Sequence, residues 1–236
     1  MNDSVLSIPL TNLLLSFIPV LVVIAILYNW SLTIRTKIYA VIRMLVQLLA
    51  IGYVLSYIFA IENPLLVVLV LCVMLTAAGL ISLRTCRQKD SKTLFKLLLS
   101  ISTGGISSLL FMTAIVLEIE PWYLPNYLIP LGGMAIANCM NTASLAAERF
   151  ESEIENETAY IEARNKAFNA ALIPTVNTLL AVGIVSLPGM MTGQILSGVD
   201  PLIAVRYQII IMCMVFGSSG ITAACYLALQ KTGTIK

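Results

Sequence analysis

The sequence contains no histidine, and only 11% of its 236 residues are Asp, Glu, Lys or Arg. Without histidine, the commonest metal ligand, the usual neutral-pH proton switch and the base of Ser–His chemistry are all missing. No G-x-x-x-x-G-K-[ST] segment occurs, so the chain carries no phosphate-cradling P-loop of its own. There is no G-x-S-x-G, no H-E-x-x-H and no paired C-x-x-C. These absences remove the common routes to nucleotide hydrolysis, serine hydrolysis and zinc chemistry, and neither catalysis nor a bound cofactor is expected of this chain. The five cysteines are odd in number. Cys72, Cys139, Cys213 and Cys225 lie in apolar runs and Cys86 lies in a basic loop, which argues against a disulfide framework. Residues 1–7 hold Asp3 but no Lys or Arg, so no cleaved signal peptide is expected.

What the sequence has in abundance is apolar surface. It is 59% hydrophobic, with a mean hydropathy of +0.94, more than a soluble domain of this size can bury. The expectation is an all-α, polytopic membrane protein with one membrane domain over residues 1–236. Long apolar runs place spans at about 9–28, 39–61, 65–83, 97–117 and 125–147, then a broken one at 172–188 and a last one at 204–229. Pro19 is placed to kink the first span, and Gly104-Gly105 to loosen the fourth. Trp30 and Trp122 fall where interface aromatics belong. Basic residues cluster at Arg35–Lys37 and at Arg84, Arg87, Lys89, Lys92 and Lys96. If those clusters are cytoplasmic, the chain crosses about seven times, N-out and C-in, and of its 14 Lys and Arg only Arg206 falls outside.

Two stretches stand out against this background. The first runs from Leu172 to Gln208. It starts as a membrane helix, breaks at Pro188-Gly189, passes Gly193, Gly198 and Asp200-Pro201, and turns apolar again. Breakers at membrane depth are tolerated where the freed backbone is buried in protein or faces water, so a broken span is a place to look for a pathway. A short helix ending at the surface, followed by a return loop, fits the same pattern. Gly189 and Gly193 also form a small-xxx-small spacing. In the fifth span, Asn138, Asn141 and Thr142 gather on one helix face, for interhelical hydrogen bonding or for contact with a solute. Asn177 and Gln194 complete the polar pathway candidates. Met134, Met140, Met190 and Met191 add soft thioethers, of a kind that suits Cu(I) as well as core filling. Glu118, Glu120 and Asp200 would make an outer vestibule negative.

The second stretch, Glu148 to Asn169 (ERFESEIENETAYIEARNKAFN), is the only sizeable polar one. Phe150, Ile154 and Ile161 recur at helical spacing, so the expectation is a helical cytoplasmic segment with a partly apolar side, either simply solvated or docked to a partner.

Two segments, PWYLPNYLIPLGGMAIANCMN (Pro121–Asn141) and AALIPTVNTLLAVGIVSLPGMMTGQILSGVDPLIAVRYQIIIM (Ala170–Met212), resemble the signature segments of the FetB-like permease family. These are membrane subunits of ABC transporters, with bacterial members assigned to iron export and plant relatives linked to aluminium tolerance. The resemblance implies a plasma-membrane permease, in the inner membrane of a bacterium, that moves iron or another metal ion or small solute outward. ATP would be hydrolysed by a separate cytoplasmic subunit, with two permeases pairing with two ATPases in the lipid bilayer. No nucleic-acid partner follows. It also turns residues 148–170 into a coupling segment between the fifth and sixth spans, with Glu155, Ile161, Glu162, Ala163 and Arg164 as the contacts. The family's glycine turn in that segment is missing here. The pathway and gate would be Asn138, Asn141, Asn177, Pro188, Gly189, Met190, Met191, Gly193 and Gln194, and no metal ligands can be named. Two rival functions share these features: a stand-alone channel or secondary transporter, which an intramembrane carboxylate would favour though no span core has one, and a membrane scaffold that recruits a protein through 148–170.

Overall fold

The computed structural model describes residues 8–61 and 63–230. Residues 1–7, Glu62 and residues 231–236 lie outside the described residues, and with them the signal-peptide expectation and Lys231 and Lys236 of the charge argument. Among the described residues all regular secondary structure is helical, apart from one isolated bridge between Val182 and Ser186.

The chain divides into two compact units. The first holds three helices: α1 (Leu10–Leu15), α2 (Ile18–Asn29) and α3 (Arg35–Ile61). The interruption expected at Pro19 falls just before it, at Ser16 and Phe17. Ser16 turns its hydroxyl back onto the Leu13 carbonyl at 2.7 Å, and Pro19 sits in the first turn of α2, where its missing N–H costs nothing. No residue of α1 or α2 is buried, as expected of apolar helices whose solvent is lipid.

The second unit holds the remaining helices: α4 (Pro64–Leu83), α5 (Ser91–Phe111, extended by a π-turn over Met112–Val116), α6 (Pro125–Glu155), α7 (Tyr160–Ala181), α8 (Gly189–Leu196, whose last residue groups with the first unit) and α9 (Pro201–Gln230). Their starts follow from local chemistry. Asn63 accepts the Leu65 N–H at 2.9 Å ahead of α4, and Asp90 accepts the Thr93 N–H at 2.9 Å ahead of α5. Proline opens α4 and α6 in the first turn. By length and composition five stretches among the described residues can cross a membrane: Leu10–Asn29, Arg35–Phe59, Pro64–Leu83, Ser91–Val116 and Pro201–Gln230. The other two long helices, α6 and α7, are too polar to qualify, because Asn138, Asn141 and Thr142 interrupt one and a charged first half dilutes the other.

Helix α6 is the axis of this unit: α4, α5, α7 and α9 all pack on it. Ala135, Cys139, Ala143, Ala146 and Ala147 along its length have no exposed surface. Small residues permit that closeness. A Cβ on Gly132 would fall 2.5 Å from Leu71 Cδ2, so α4 and α6 touch there. Gly104, expected to loosen its span, instead brings α5 against α9, since a Cβ there would collide with the Thr222 hydroxyl and lie 2.5 Å from the Ser218 carbonyl oxygen. By contrast nothing lies within 4 Å of a Cβ on Gly189 or Gly193, so their spacing is not a packing motif here.

The sequence expectation for residues 148–169 changes most. They form no separate helix. Residues up to Glu155 continue α6, a four-residue turn over 156–159 reverses the chain, with Glu157 at φ +58, and Tyr160 starts α7. The two are an antiparallel hairpin. Its tip is tied to the rest of the unit: Tyr160 donates to the Leu227 carbonyl at 2.9 Å, Phe150 meets Tyr160 edge-on at 5.9 Å, and Arg87 pairs with Glu155 while its own N–H donates to Glu151 Oε2 at 3.0 Å. Lys96 donates to Gln230 at 2.9 Å nearby. The basic α4–α5 loop, the hairpin tip and the end of α9 therefore share one end of the unit.

Candidate functional site

The other departure concerns the broken span. Hydropathy carries it to Pro188, but α7 stops at Ala181. The Gly183 N–H bonds the Ser186 carbonyl oxygen at 2.9 Å, closing a tight turn that Gly183 enters at φ +82. Pro188-Gly189 does not break a helix but begins one: the N–H and hydroxyl of Thr192 both reach back to the Pro188 carbonyl oxygen, at 2.9 and 3.1 Å. This returns the start of α8 to the flank of α6, α7 and α9.

A cavity of about 200 Å³ results, lined by α6 (Met134, Asn138, Asn141, Thr142), α7 (Pro174, Thr175, Thr178), the Pro188–Met190 start of α8, and α9 (Gln208, Met212). No lining residue is charged. Asn138 donates its amide to the Met134 carbonyl at 2.8 Å, which leaves its side-chain oxygen as an acceptor. Thr178 donates to the Pro174 carbonyl at 2.9 Å. Pro174 has no N–H, so the Ala170 carbonyl loses its helix partner. Gln208 is 5% exposed, and its Oε1 is buried without a hydrogen-bond partner. A second, more apolar cavity of about 380 Å³ adjoins, lined by Leu179, Val182, Gly183, Met191, Val205, Gln208, Ile209, Met212, Cys213 and Phe216. Gln208 and Met212 line both.

Of the pathway residues expected from sequence, Asn138, Asn141, Pro188, Gly189 and Met190 come together on the first cavity. Met191 lines the second. Asn177 faces away from both and is exposed. Gly193 and Gln194 line neither, although Gln194 Oε1 is buried without a partner. Sequence reasoning missed Gln208, Thr175 and Met212. The only signal for Gln208 was a lone amide inside an apolar run.

At the tied end, the expected coupling residues divide by exposure. Ile161 is 64% exposed, whereas Ala163 has no exposed surface. Arg164 is exposed and donates to Asn165 at 3.0 and 3.2 Å. Glu162 pairs with Lys166 at 2.8 Å. Lys166 also reaches the buried Glu153 at 3.1 Å, and Arg149 pairs with Glu153 at 2.6 Å. Hydrogen bonding from Lys166, with Arg149 adding attraction, holds the Glu153 carboxyl below its usual range; Glu162 and then Glu153 hold Lys166 above its own. A lowered carboxyl pKa stabilises the fold above the ordinary value of 4.5 and loses that contribution as pH falls through the lowered one. The raised lysine acts in the opposite sense, at full effect below 10.5 and lost above its shifted value. Acidification from pH 6 to 3 should therefore lower the melting temperature of the detergent-solubilised protein, and Glu153→Gln should flatten that slope. An unchanged slope in the variant would remove Glu153 from the account.

Comparison with known proteins finds relatives named as membrane proteins. Residues 10–233 match the family described as Uncharacterised protein family (UPF0014). The UPF0014 membrane protein slr1647 of Synechocystis is 42% identical over 73% of this chain and 73% of its own. The Probable iron export permease protein FetB of Escherichia coli is 32% identical over 94% of this chain and 92% of its own. The Arabidopsis thaliana protein ALUMINUM SENSITIVE 3 is 28% identical over 88% and 81%. No solved structure matches.

Proposed function

Since this chain belongs to the UPF0014 family of membrane proteins, we propose that it is the membrane permease of an ABC transporter, exporting a metal ion or small solute with ATP hydrolysed by a separate subunit. One observation carries the reading: the two helices that line the polar cavity, α6 and α7, are the same two whose far ends form the exposed hairpin tip. A push at the tip reaches the cavity through continuous helix. The relative named as a probable iron export permease supports the transport class.

In this reading α6 and α7 cross the bilayer inside the bundle, where their polar faces meet protein and not lipid. That gives about seven crossings, N-out and C-in in the plasma membrane, with the basic loop, hairpin tip and α9 terminus cytoplasmic. Two permeases pair with two ATPases. ATP binding closes the partners, moves both hairpins, and opens the cavity alternately to each side, with the Pro188–Gly193 stretch, whose first three residues line the cavity, as the gate. Neither nucleotide nor cofactor binds this chain.

Purification of the tagged protein from its native membranes in mild detergent tests this. The expected eluate contains a P-loop subunit near equal stoichiometry, with ATPase activity that the permease changes. A permease that elutes alone and without ATPase activity would overturn the reading in favour of a channel or secondary transporter.

A further inference from the structure

The first cavity has a chemical bias that its lack of charge conceals. Several of its polar groups offer lone pairs that no protein donor uses. Gln208 Oε1 is buried and unpartnered, the Asn138 oxygen is left over after its amide is used, and the Thr178 hydroxyl has spent its proton on Pro174. The rest of the wall supplies sulfur. Met134, Met190 and Met212 line the first cavity, and Met191, Met212 and Cys213 line the second. Four of the chain's ten methionines thus border two adjoining chambers that share Gln208 and Met212 as a common wall.

Such a lining discriminates by softness and charge. A di- or trivalent hard cation surrenders a very large hydration energy on entering a cavity with no carboxylate, and neutral amide oxygens do not replace it. A monovalent, polarisable d¹⁰ ion loses far less, and thioethers are its preferred ligands. Methionine as filler explains the sulfur alone; it does not explain a buried amide oxygen without a donor on a residue that lines the same space. We propose that the paired cavities are a binding site and relay for a soft monovalent cation, Cu(I) or Ag(I). Met134, Met190 and Met212 with Gln208 Oε1 hold the ion in the first chamber, and Met191 and Cys213 receive it in the second. The proposal deepens the permease reading by naming its cargo class, but the site itself is a property of this chain alone.

The test uses purified full-length protein in which Cys72 and Cys225, which border neither cavity, are replaced by alanine, so that Cys213 is the one accessible thiol left, since Cys86 and Cys139 are buried. Ag(I) is titrated calorimetrically without nucleotide or partner. The expected result is a site that millimolar Mg(II) does not displace. The near-isosteric triple variant Met134→Leu, Met190→Leu, Met212→Leu should bind at least tenfold more weakly, and Gln208→Leu several-fold more weakly. Leucine at Met44, Met74 and Met214, which border neither cavity, should change nothing. Equal Ag(I) binding by parent and cavity triple variant would overturn the proposal, as would displacement by Mg(II). Neither result touches the ATPase question, and a missing ATPase partner would leave the site standing.

Discussion

On the permease reading, replacing Ile161 with aspartate is expected to strip the proposed ATPase subunit from the purified protein while leaving this chain folded. Ile161 is the second residue of α7, 64% exposed, and sits at the tip where the chain reverses. Its neighbours are already committed: Glu162 to Lys166, Tyr160 to Leu227, and Ala163 to the interior. An exposed isoleucine with paired surroundings makes no contribution to its own fold that aspartate would remove, so the stability change should stay within about 0.5 kcal/mol. In a docked interface the same substitution buries an unpaired carboxylate. A central contact of that kind costs about 2–4 kcal/mol, or roughly 30- to 1,000-fold in affinity. Co-purification at unchanged stoichiometry would remove the tip from the interface. Excising residues 155–166 is a poorer experiment, because it would also take out the Arg87–Glu155 and Glu153–Lys166 pairs and the Tyr160 bond that hold this end of the bundle together.

The largest stability loss from a single methyl group is expected at Gly104. An alanine Cβ there collides with the Thr222 hydroxyl, which a rotamer change could move aside. It also lies 2.5 Å from the Ser218 carbonyl oxygen and 2.9 Å from the Thr222 nitrogen, and these backbone atoms yield only if α9 withdraws from α5. Overpacking of this kind costs about 1–3 kcal/mol, and more where backbone must shift. Gly217→Ala and Gly220→Ala, on the same helix α9 but with nothing within 4 Å of the added carbon, are the controls and should be neutral or slightly stabilising. Thermal unfolding followed by thiol accessibility suits the comparison, because Cys139 is fully buried beside this contact. Equal melting of the Gly104 and Gly217 variants would refute the close α5–α9 crossing.

These two sites differ in how far the sequence foretold them. The polar face of α6 was legible because Asn138, Asn141 and Thr142 follow helical spacing, and helices keep that spacing when packed. The polarity of 148–169 was legible too, and so was its helicity. Its shape was not. Asn156, Glu157 and Thr158 sit within a run of good helix formers, and the turn depends on Glu157 accepting a left-handed backbone that glutamate does not advertise. The end of α7 was hidden for the opposite reason. Val182, Ile184, Val185 and Leu187 prolong the apolar run past Ala181, so hydropathy continues where the helix stops, and only Gly183 hinted at the turn. Gln208 was invisible because a lone amide in Tyr207–Met212 has no periodic partner. Its importance arises only when α6 and α7 close around it.

The central place of α6 has a consequence for how the protein is made. A helix too polar to qualify as a span on its own gains little by leaving the translocon for lipid, where asparagine is penalised. It becomes acceptable to the bilayer only beside partners that cover its amides. When α6 is synthesised, α4 and α5 already exist but α7 and α9 do not, and at roughly 5–20 residues per second the last of them follows seconds later. During that interval the Asn138–Thr142 face has no proteinaceous cover. In the proposed seven-crossing arrangement the nascent chain therefore holds α6 at the translocon, or in the company of an insertion chaperone, until α9 arrives. Truncations that end before Pro201 should be degraded as orphans even though every strongly apolar segment upstream of that point is intact.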